Sequence, residues 1–167
     1  MRAAIDNVNS NMYIYFSTTS GIYTQGIYRA NLDASNRVLQ VDGDSRLNEM
    51  NSLTLNPTLG QIVYARTGNP NNGVYGADMT GEVNSGYSLL ALSNGGYSYT
   101  KGVAVDQDDD KIYYAYEIYQ GNAEIWRCDS DGSNAEQFIE LAVDDAITGL
   151  GFVEIVVPDA GTVIIID

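Results

Sequence analysis

The stretch Val103-Ala104-Val105-Asp106, followed by Lys111-Ile112-Tyr113-Tyr114-Ala115, decides the fold, because nearly the same pattern occurs twice more in the chain. Leu53-Thr54-Leu55-Asn56 leads to Gln61-Ile62-Val63-Tyr64-Ala65, and Ala3-Ala4-Ile5-Asp6 leads to Met12-Tyr13-Ile14-Tyr15. Corresponding residues lie 50 positions apart. A fixed period of this size is typical of a fold built from copies of one supersecondary unit, none of which can bury its apolar face alone.

Each repeat continues past these two predicted strands. A polar loop leads to a third apolar run at 26–30, 73–77 and 124–128, and a turn leads to a fourth at 38–41, 88–92 and 138–141. The turn contains Asp33-Ala34-Ser35-Asn36, Thr80-Gly81-Glu82 and Asp131-Gly132-Ser133-Asn134, which are residue types that favour turns. The sequence therefore predicts one all-β domain over 1–167, with four-stranded repeats at about 1–50, 51–100 and 101–148 and a half-repeat at 149–167.

Helices are disfavoured throughout the chain. Tyr, Val, Ile and Thr favour strands, and the 17 glycines with frequent Asn-Gly and Asp-Gly pairs interrupt helical runs. Only residues 135–146 show some helical spacing, and we interpret them as the last strand of the third repeat and its exit loop.

The third repeat carries a family resemblance. Gly102–Asp106, Lys111–Ala115, Ile125-Trp126-Arg127 and the turn Asp131–Asn134 together resemble the YWTD β-propeller repeat of the low-density-lipoprotein-receptor class, and Ile27–Asp33 is similar in the first repeat. The likeness covers most of residues 1–157. It implies a β-propeller in which the first-strand Asp and the aromatic second strand are structural, so it implies a fold rather than an activity. The period exceeds the roughly 40–45 residues of ordinary propeller repeats, and propellers of that class close with six blades, whereas this chain has about three.

Composition limits the partners. A formal net charge of −14 and a pI near 4.1 argue against nucleic acid and anionic membranes, because eight scattered basic residues form no patch for phosphates. The single cysteine, Cys128, forms no internal disulfide and is interpreted as a small buried apolar residue rather than a reactive thiol. No apolar run resembles a signal peptide or a membrane span. Localisation therefore stays open between an intracellular protein, a virion component and a piece of a larger extracellular protein.

Catalytic signatures are weak. The chain has no histidine, which excludes Ser-His-Asp and Cys-His mechanisms, and the acidic residues fall mostly in turns. The one metal-like stretch is Asp106-Gln107-Asp108-Asp109-Asp110, which lacks the glycine and distal glutamate of an EF-hand. We interpret it as a solvated hairpin turn, with calcium as the alternative, and we expect no cofactor, no metal and no hydrolase or lyase turnover.

The loops offer the better candidate site. Loops at 17–25, 67–72 and 117–122, and connections between repeats at 42–51, 93–101 and 143–148, are expected on one rim. They carry four tyrosines, a residue type enriched in recognition surfaces, which are the candidate binding residues Tyr23, Tyr97, Tyr99 and Tyr119. The alternative explanation is that some tyrosines fall in loops by chance, since the chain has 13 of them.

Two functional classes follow. The first is a non-enzymatic interaction module, a scaffold or adhesive domain for protein or glycan, and the richness in Asn, Gly, Ser, Thr and Tyr suits a phage or virion surface protein. The second is a propeller enzyme that processes a small molecule. Because three repeats cannot close a ring and the half-repeat ends in an apolar strand, we also expect self-association, most simply a dimer that completes six blades. The alternative is that the chain is half of a longer polypeptide.

Overall fold

The computed structural model describes residues 2–17, 24–43, 50–67, 72–92, 98–118, 122–141, 150–153 and 163–166. These residues form three four-stranded antiparallel sheets and one two-stranded sheet, each with its strands hydrogen-bonded in chain order. The strands are β1 Arg2–Asp6, β2 Asn11–Phe16, β3 Gly26–Asn31, β4 Val38–Asp42, β5 Met50–Asn56, β6 Gln61–Arg66, β7 Gly73–Asp78, β8 Ser88–Leu92, β9 Ser98–Asp106, β10 Lys111–Ile118, β11 Ala123–Asp129, β12 Glu136–Glu140, β13 Leu150–Val153 and β14 Val163–Ile166. We call β1–β4 blade 1, β5–β8 blade 2, β9–β12 blade 3 and β13–β14 the half-blade.

The blades pack face to face in chain order. Side chains alternate between the two faces of each sheet, so each blade has a leading face toward the preceding blade and a trailing face toward the next. Tyr13, Tyr15 and Ile27 on the trailing face of blade 1 share a buried cluster with the leading-face residues Ile62 and Tyr64 of blade 2. The sheets are therefore held together by apolar contacts between the blades.

The next two interfaces repeat this arrangement. Val63 and Val74 of blade 2 meet Val103 and Ile112 of blade 3, and Tyr113 and Ile125 of blade 3 meet Leu150 of the half-blade. The core residues expected from the repeat pattern are confirmed, since they lie in or against these clusters: Leu53, Leu55, Ile62, Tyr64, Val74, Val103, Val105, Ile112, Tyr114, Ile125 and Leu150.

A β-bulge occurs at one position in the fourth strand of every blade. The register skips Gln40, Leu90 and Phe138, each of which is an extra residue relative to the third strand. A bulge increases local twist and redirects the backbone. In the first two blades the bulged residue contacts the turn between the third and fourth strands of the following blade.

Two close contacts define this bulge-to-turn packing. The backbone N–H of Asn84 donates to the carbonyl oxygen of Gln40 at 2.7 Å. Gly132, at a φ of +87°, lies so near Leu90 that a Cβ on the glycine would be 2.1 Å from the Leu90 carbonyl oxygen. Because L side chains rarely adopt this φ and no Cβ fits the space, glycine is required at position 132.

The stretch with some helical spacing, residues 135–146, contains the strand β12 Glu136–Glu140. Its strand interpretation is confirmed there, and residues 142–149 lie outside the described ranges. Within the described ranges, no helix is long and apolar enough to cross a membrane.

Candidate functional site on the loop rim

The up-and-down strand order puts two kinds of connection on opposite edges of the blades. Connections from the second to the third strand, and from one blade to the next, leave one edge, which we call the loop rim. Hairpins from the first to the second strand and turns from the third to the fourth strand leave the other edge, the turn rim. Of the four candidate tyrosines, Tyr23, Tyr97 and Tyr119 lie outside the described residues.

Tyr99 is the described candidate, and it lies in β9 at the loop rim. Its side chain is 41% exposed, and its backbone pairs with that of Glu117 on β10. The Lys101 ammonium nitrogen lies 5.7 Å from the centroid of the Tyr99 ring and 2.9 Å from the Glu117 carboxylate. We call Tyr99, Lys101 and Glu117 the rim patch.

The rim patch depends on a β-bulge that the sequence analysis did not predict. The register passes from Ala115–Gly102 to Tyr116–Thr100, so Lys101 is the extra residue in β9. Asn51 is the extra residue at the corresponding place in β5. Bulges occur often at rims, where they redirect side chains. The sequence signal was the polar residue at this position in both repeats, 50 residues apart.

Polar side chains support the backbone beneath the rim patch. The Asn72 carboxamide oxygen accepts hydrogen bonds from the backbone N–H of Thr100 at 3.0 Å and from its hydroxyl at 2.9 Å. The Asn51 side-chain amide donates to the Thr100 carbonyl at 2.8 Å. Thr100 is fully buried. Since buried polar groups with partners stabilise one arrangement, this network fixes the start of β9 against blade 2.

The ion pair in the rim patch contributes little to stability. The Lys101 and Glu117 side chains are 32% and 37% exposed, and exposed ion pairs contribute about 0–1 kcal/mol. An exposed aromatic ring beside a lysine and a carboxylate offers apolar contact, a cation and a hydrogen-bond acceptor together. This arrangement can recognise a partner, and it contains no nucleophile with a base beside it.

The turn rim contains the predicted hairpin at Asp106–Asp110. The Asp106 carboxylate accepts hydrogen bonds from the backbone N–H groups of Asp108 at 3.1 Å and Asp109 at 3.3 Å. In blade 1 the Asp6 carboxylate accepts from Val8 and Asn9, both at 3.1 Å. This carboxylate therefore closes the hairpin. Among the described residues, no group of three or more His, Cys, Asp or Glu could hold a metal ion.

Replacing Asp106 with alanine should lower stability by about 1–3 kcal/mol, because two backbone N–H groups lose their acceptor. Asp109→Ala is the matched control, since the Asp109 side chain is exposed and surface changes usually stay within about 0.5 kcal/mol. Denaturant melts measure both variants.

The melting temperature of the wild-type protein should be the same in calcium chloride and in chelator. A rise of several degrees with calcium would establish the alternative calcium site.

Carboxylates in the tight turns also bind their own backbone. Asp33 accepts from the hydroxyl and N–H of Ser35, and Asp131 accepts from the N–H of Ser133 at 2.8 Å. These hydrogen bonds lower the pKa of both carboxyl groups. The acidic turns therefore have a structural explanation.

Cys128 is completely buried in the cluster between blades 2 and 3. Desolvation raises the pKa of its thiol to about 12, and the nearby carboxylates of Asp129 and Asp131 add to the rise. The thiolate is the nucleophilic form, so this thiol stays protonated and unreactive near neutral pH. The structure thus supports the interpretation of Cys128 as an apolar core residue.

Solved structures identify the fold. A chain in the crystal structure of a nidogen/laminin complex superposes with a TM-score of 0.68 at 17% identity, over 89% of this chain and 50% of that one. The structure of putative TolB from Agrobacterium tumefaciens superposes with a TM-score of 0.61 at 11% identity, over 83% of this chain and 48% of that one. Both are β-propellers.

The chain has a β-propeller fold. The predicted fold class of four-stranded blades is confirmed, and the chain spans about half the length of the two propellers. No protein-family profile and no curated protein matches the sequence. At these identities the likeness shows the fold alone.

Proposed function

We propose that this β-propeller is a non-enzymatic interaction module that recognises a protein or glycan through its loop rim. The observation that carries the proposal is the rim patch, in which the exposed Tyr99 ring lies beside the Lys101 ammonium and the Glu117 carboxylate. Tyrosine supplies large contact area at low entropic cost. The bulge at Lys101 and the Thr100 network hold this patch in place before a partner binds, which reduces the cost of ordering it.

The similar structures support an interaction role by fold. One of them is a complex of nidogen with laminin. We propose that the repeats here are of the YWTD type, on the residues of the third repeat. We also propose that this acidic chain, rich in Asn, Gly, Ser, Thr and Tyr, is a scaffold or adhesive protein such as a virion surface component. Its partners would be a protein or glycan at the rim and a second copy of the chain.

The chemistry of the chain favours binding over catalysis. The sequence has no histidine, the Cys128 thiol is buried with its pKa raised to about 12, and the Asp6 and Asp106 carboxylates are engaged by backbone N–H groups. We therefore propose that the protein is not an enzyme and needs no cofactor.

The test is a binding screen with defined probes, namely a glycan array and a panel of purified matrix proteins that includes laminin. A probe that binds wild type should lose about tenfold or more in affinity with the double variant Tyr99→Ala/Lys101→Ala, since truncation of a central tyrosine often costs more than 1 kcal/mol. Val8→Ala on the turn rim is the control, because Val8 is 82% exposed. Equal binding by the double variant would refute the rim assignment, and turnover of an ester, glycoside or lactone would refute the non-enzymatic role.

A further inference from the structure

The trailing face of blade 3 pairs an arginine with a carboxylate. Tyr113, Arg127 and Glu136 lie directly opposite one another on β10, β11 and β12. The Arg127 guanidinium donates to the Glu136 carboxylate, with Nε at 2.7 Å and Nη2 at 2.6 Å from Oε1. The bulged Phe138 contacts the same arginine, since the Arg127 guanidinium carbon lies 5.1 Å from the centroid of the Phe138 ring. The arginine of the third strand is therefore flanked by a carboxylate and by the bulged residue.

Blade 1 has the same arrangement without the carboxylate. Tyr13, Arg29 and Val38 occupy the corresponding positions on β2, β3 and β4, and Gln40 is the corresponding bulged residue. Val38 is 44% exposed, so an apolar side chain meets solvent where blade 3 has its glutamate. Arg29 is half-buried. Among the described residues, no carboxylate lies within ion-pair distance of its guanidinium.

The polar groups near Arg29 are engaged elsewhere. Burial raises the pKa of the Tyr13 hydroxyl, the charge of Arg29 opposes this rise, and the Asp6 carboxylate adds to it. The Asp6 carboxylate accepts hydrogen bonds from two backbone N–H groups and from the Asn9 side chain of its own hairpin. The Tyr13 hydroxyl donates to the Met79 carbonyl oxygen at 3.0 Å. The charge of Arg29 is therefore available to an anion from outside the chain.

Gln40 is a second, independent indication of a ligand. Its side chain is 1% exposed, and neither its amide nitrogen nor its amide oxygen has a hydrogen-bond partner among the described residues. The corresponding residue of blade 2 is Leu90, which lies in the apolar cluster between blades 2 and 3. Buried polar groups are unfavourable unless they are paired. A glutamine at this position therefore indicates a polar group that binds to it.

The other two blades show that the bulged side chain lies beside the third-strand residue. In blade 2, a Cβ on Gly76 would be 3.2 Å from the Cδ1 atom of Leu90. In blade 3, the bulged ring contacts the arginine at 5.1 Å. Arg29 and Gln40 occupy this pair of positions in blade 1. We therefore expect them to lie side by side, with Gln40 at the buried end and Arg29 toward solvent.

We propose that Arg29 and Gln40 bind a small organic carboxylate that has a hydrogen-bond donor beside its carboxyl group, as an α-hydroxy acid or an acidic sugar has. The guanidinium binds the carboxylate as Arg127 binds Glu136, through charge-assisted hydrogen bonds. The amide nitrogen of Gln40 donates to the carboxylate, and its amide oxygen accepts from the hydroxyl of the ligand. This site lies between blades 1 and 2 near the turn rim and is separate from the rim patch.

The test measures binding of glycolate, acetate and glycolamide to the whole chain by isothermal titration calorimetry. Glycolate has both the charge and the hydroxyl, so it should bind best. Acetate lacks the hydroxyl and should bind several-fold more weakly. Glycolamide lacks the charge and should bind about tenfold or more weakly, since hydrogen bonds to charged groups are the stronger ones.

Two variants copy the other blades. Gln40→Leu copies blade 2 and should lower the affinity for glycolate about tenfold or more. It should also raise the melting temperature without ligand, because it removes an unpaired buried amide. Val38→Glu copies blade 3 and should lower the affinity for glycolate similarly, because the introduced carboxylate would pair with Arg29. Val8→Glu adds the same charge at an 82% exposed hairpin position and should bind glycolate like wild type.

Every outcome bears on the proposal. Unchanged affinity for glycolate in Gln40→Leu or Val38→Glu, with thermal melts showing that the variant is folded, would refute it. Absence of glycolate binding at millimolar concentration would refute it too, and a more stable Gln40→Leu variant would then indicate that the amide binds ordered water alone. If Gln40→Leu fails to fold, Val38→Glu decides, since Val38 is exposed. The variant Tyr99→Ala/Lys101→Ala should bind glycolate like wild type, so this proposal and the rim assignment fail independently.

Discussion

Gly132→Ala should destabilise the protein by about 3 kcal/mol or more. The backbone at Gly132 has a φ of +87°, and a Cβ there would lie 2.1 Å from the Leu90 carbonyl oxygen. Strained backbone of this kind costs about 1–3 kcal/mol, and forcing an extra carbon into a packed contact costs about 1–3 kcal/mol more. Because the obstacle is backbone rather than a movable side chain, blades 2 and 3 would have to separate.

Gly60→Ala is the matched control. Gly60 also has a positive φ, +64°, but a Cβ there meets no atom within 4 Å, so the expected cost is the conformational one of about 1–2 kcal/mol. Urea denaturation measures both. Equal losses for the two variants would show that the contact between the turn of blade 3 and the bulge of blade 2 does not exist in solution.

Ile112→Ala should lower the free energy of unfolding by about 2–5 kcal/mol, as large-to-small changes in cores do. Ile112 is completely buried between blades 2 and 3. Val8→Ala, at an 82% exposed position, is the control and should change stability by about 0.5 kcal/mol or less. A neutral Ile112→Ala in denaturant melts would mean that the strand faces are assigned wrongly.

The strands and their faces could be predicted because the same strand pattern occurs three times in the sequence. Alternation within Lys111–Ala115 leaves two choices for the buried face, and the copies 50 and 100 residues earlier share the same pattern. Period and alternation are properties of neighbouring residues. They therefore predict strand positions, the core and the rim that carries the loops without knowledge of contacts between blades.

The bulges could not be predicted in this way. Gln40, Leu90 and Phe138 share neither polarity nor shape, although all three are bulged. What they share is a backbone position set by the twist of the blade. For Gln40 and Leu90, contact with the turn of the next blade also sets this position. Ala34 illustrates the same point, since it holds the place of Gly132 in blade 1 at a φ of +64° with a Cβ present. No blade precedes it among the described residues.

Sequence reasoning named Tyr99 as a candidate because of its residue type and its expected place in the connection 93–101, and it did not name Lys101 or Glu117. The structure places Tyr99 in β9 instead, because the strand begins at Ser98. Lys101 reaches the ring because of a bulge, and Thr100 is held by Asn51, 49 positions away in the chain. Contacts between residues so far apart in the sequence depend on how the blades pack. The binding screen decides between a protein and a glycan as the partner.

The measurement that tests the central claim most directly is the mass of the purified 167-residue protein in solution, by light scattering coupled to size-exclusion chromatography. The self-association proposed above pairs the chain with a second copy. We therefore expect a folded species of twice the 18.1 kDa chain mass, persisting at micromolar concentration. A stable, folded monomer across that range would contradict the account.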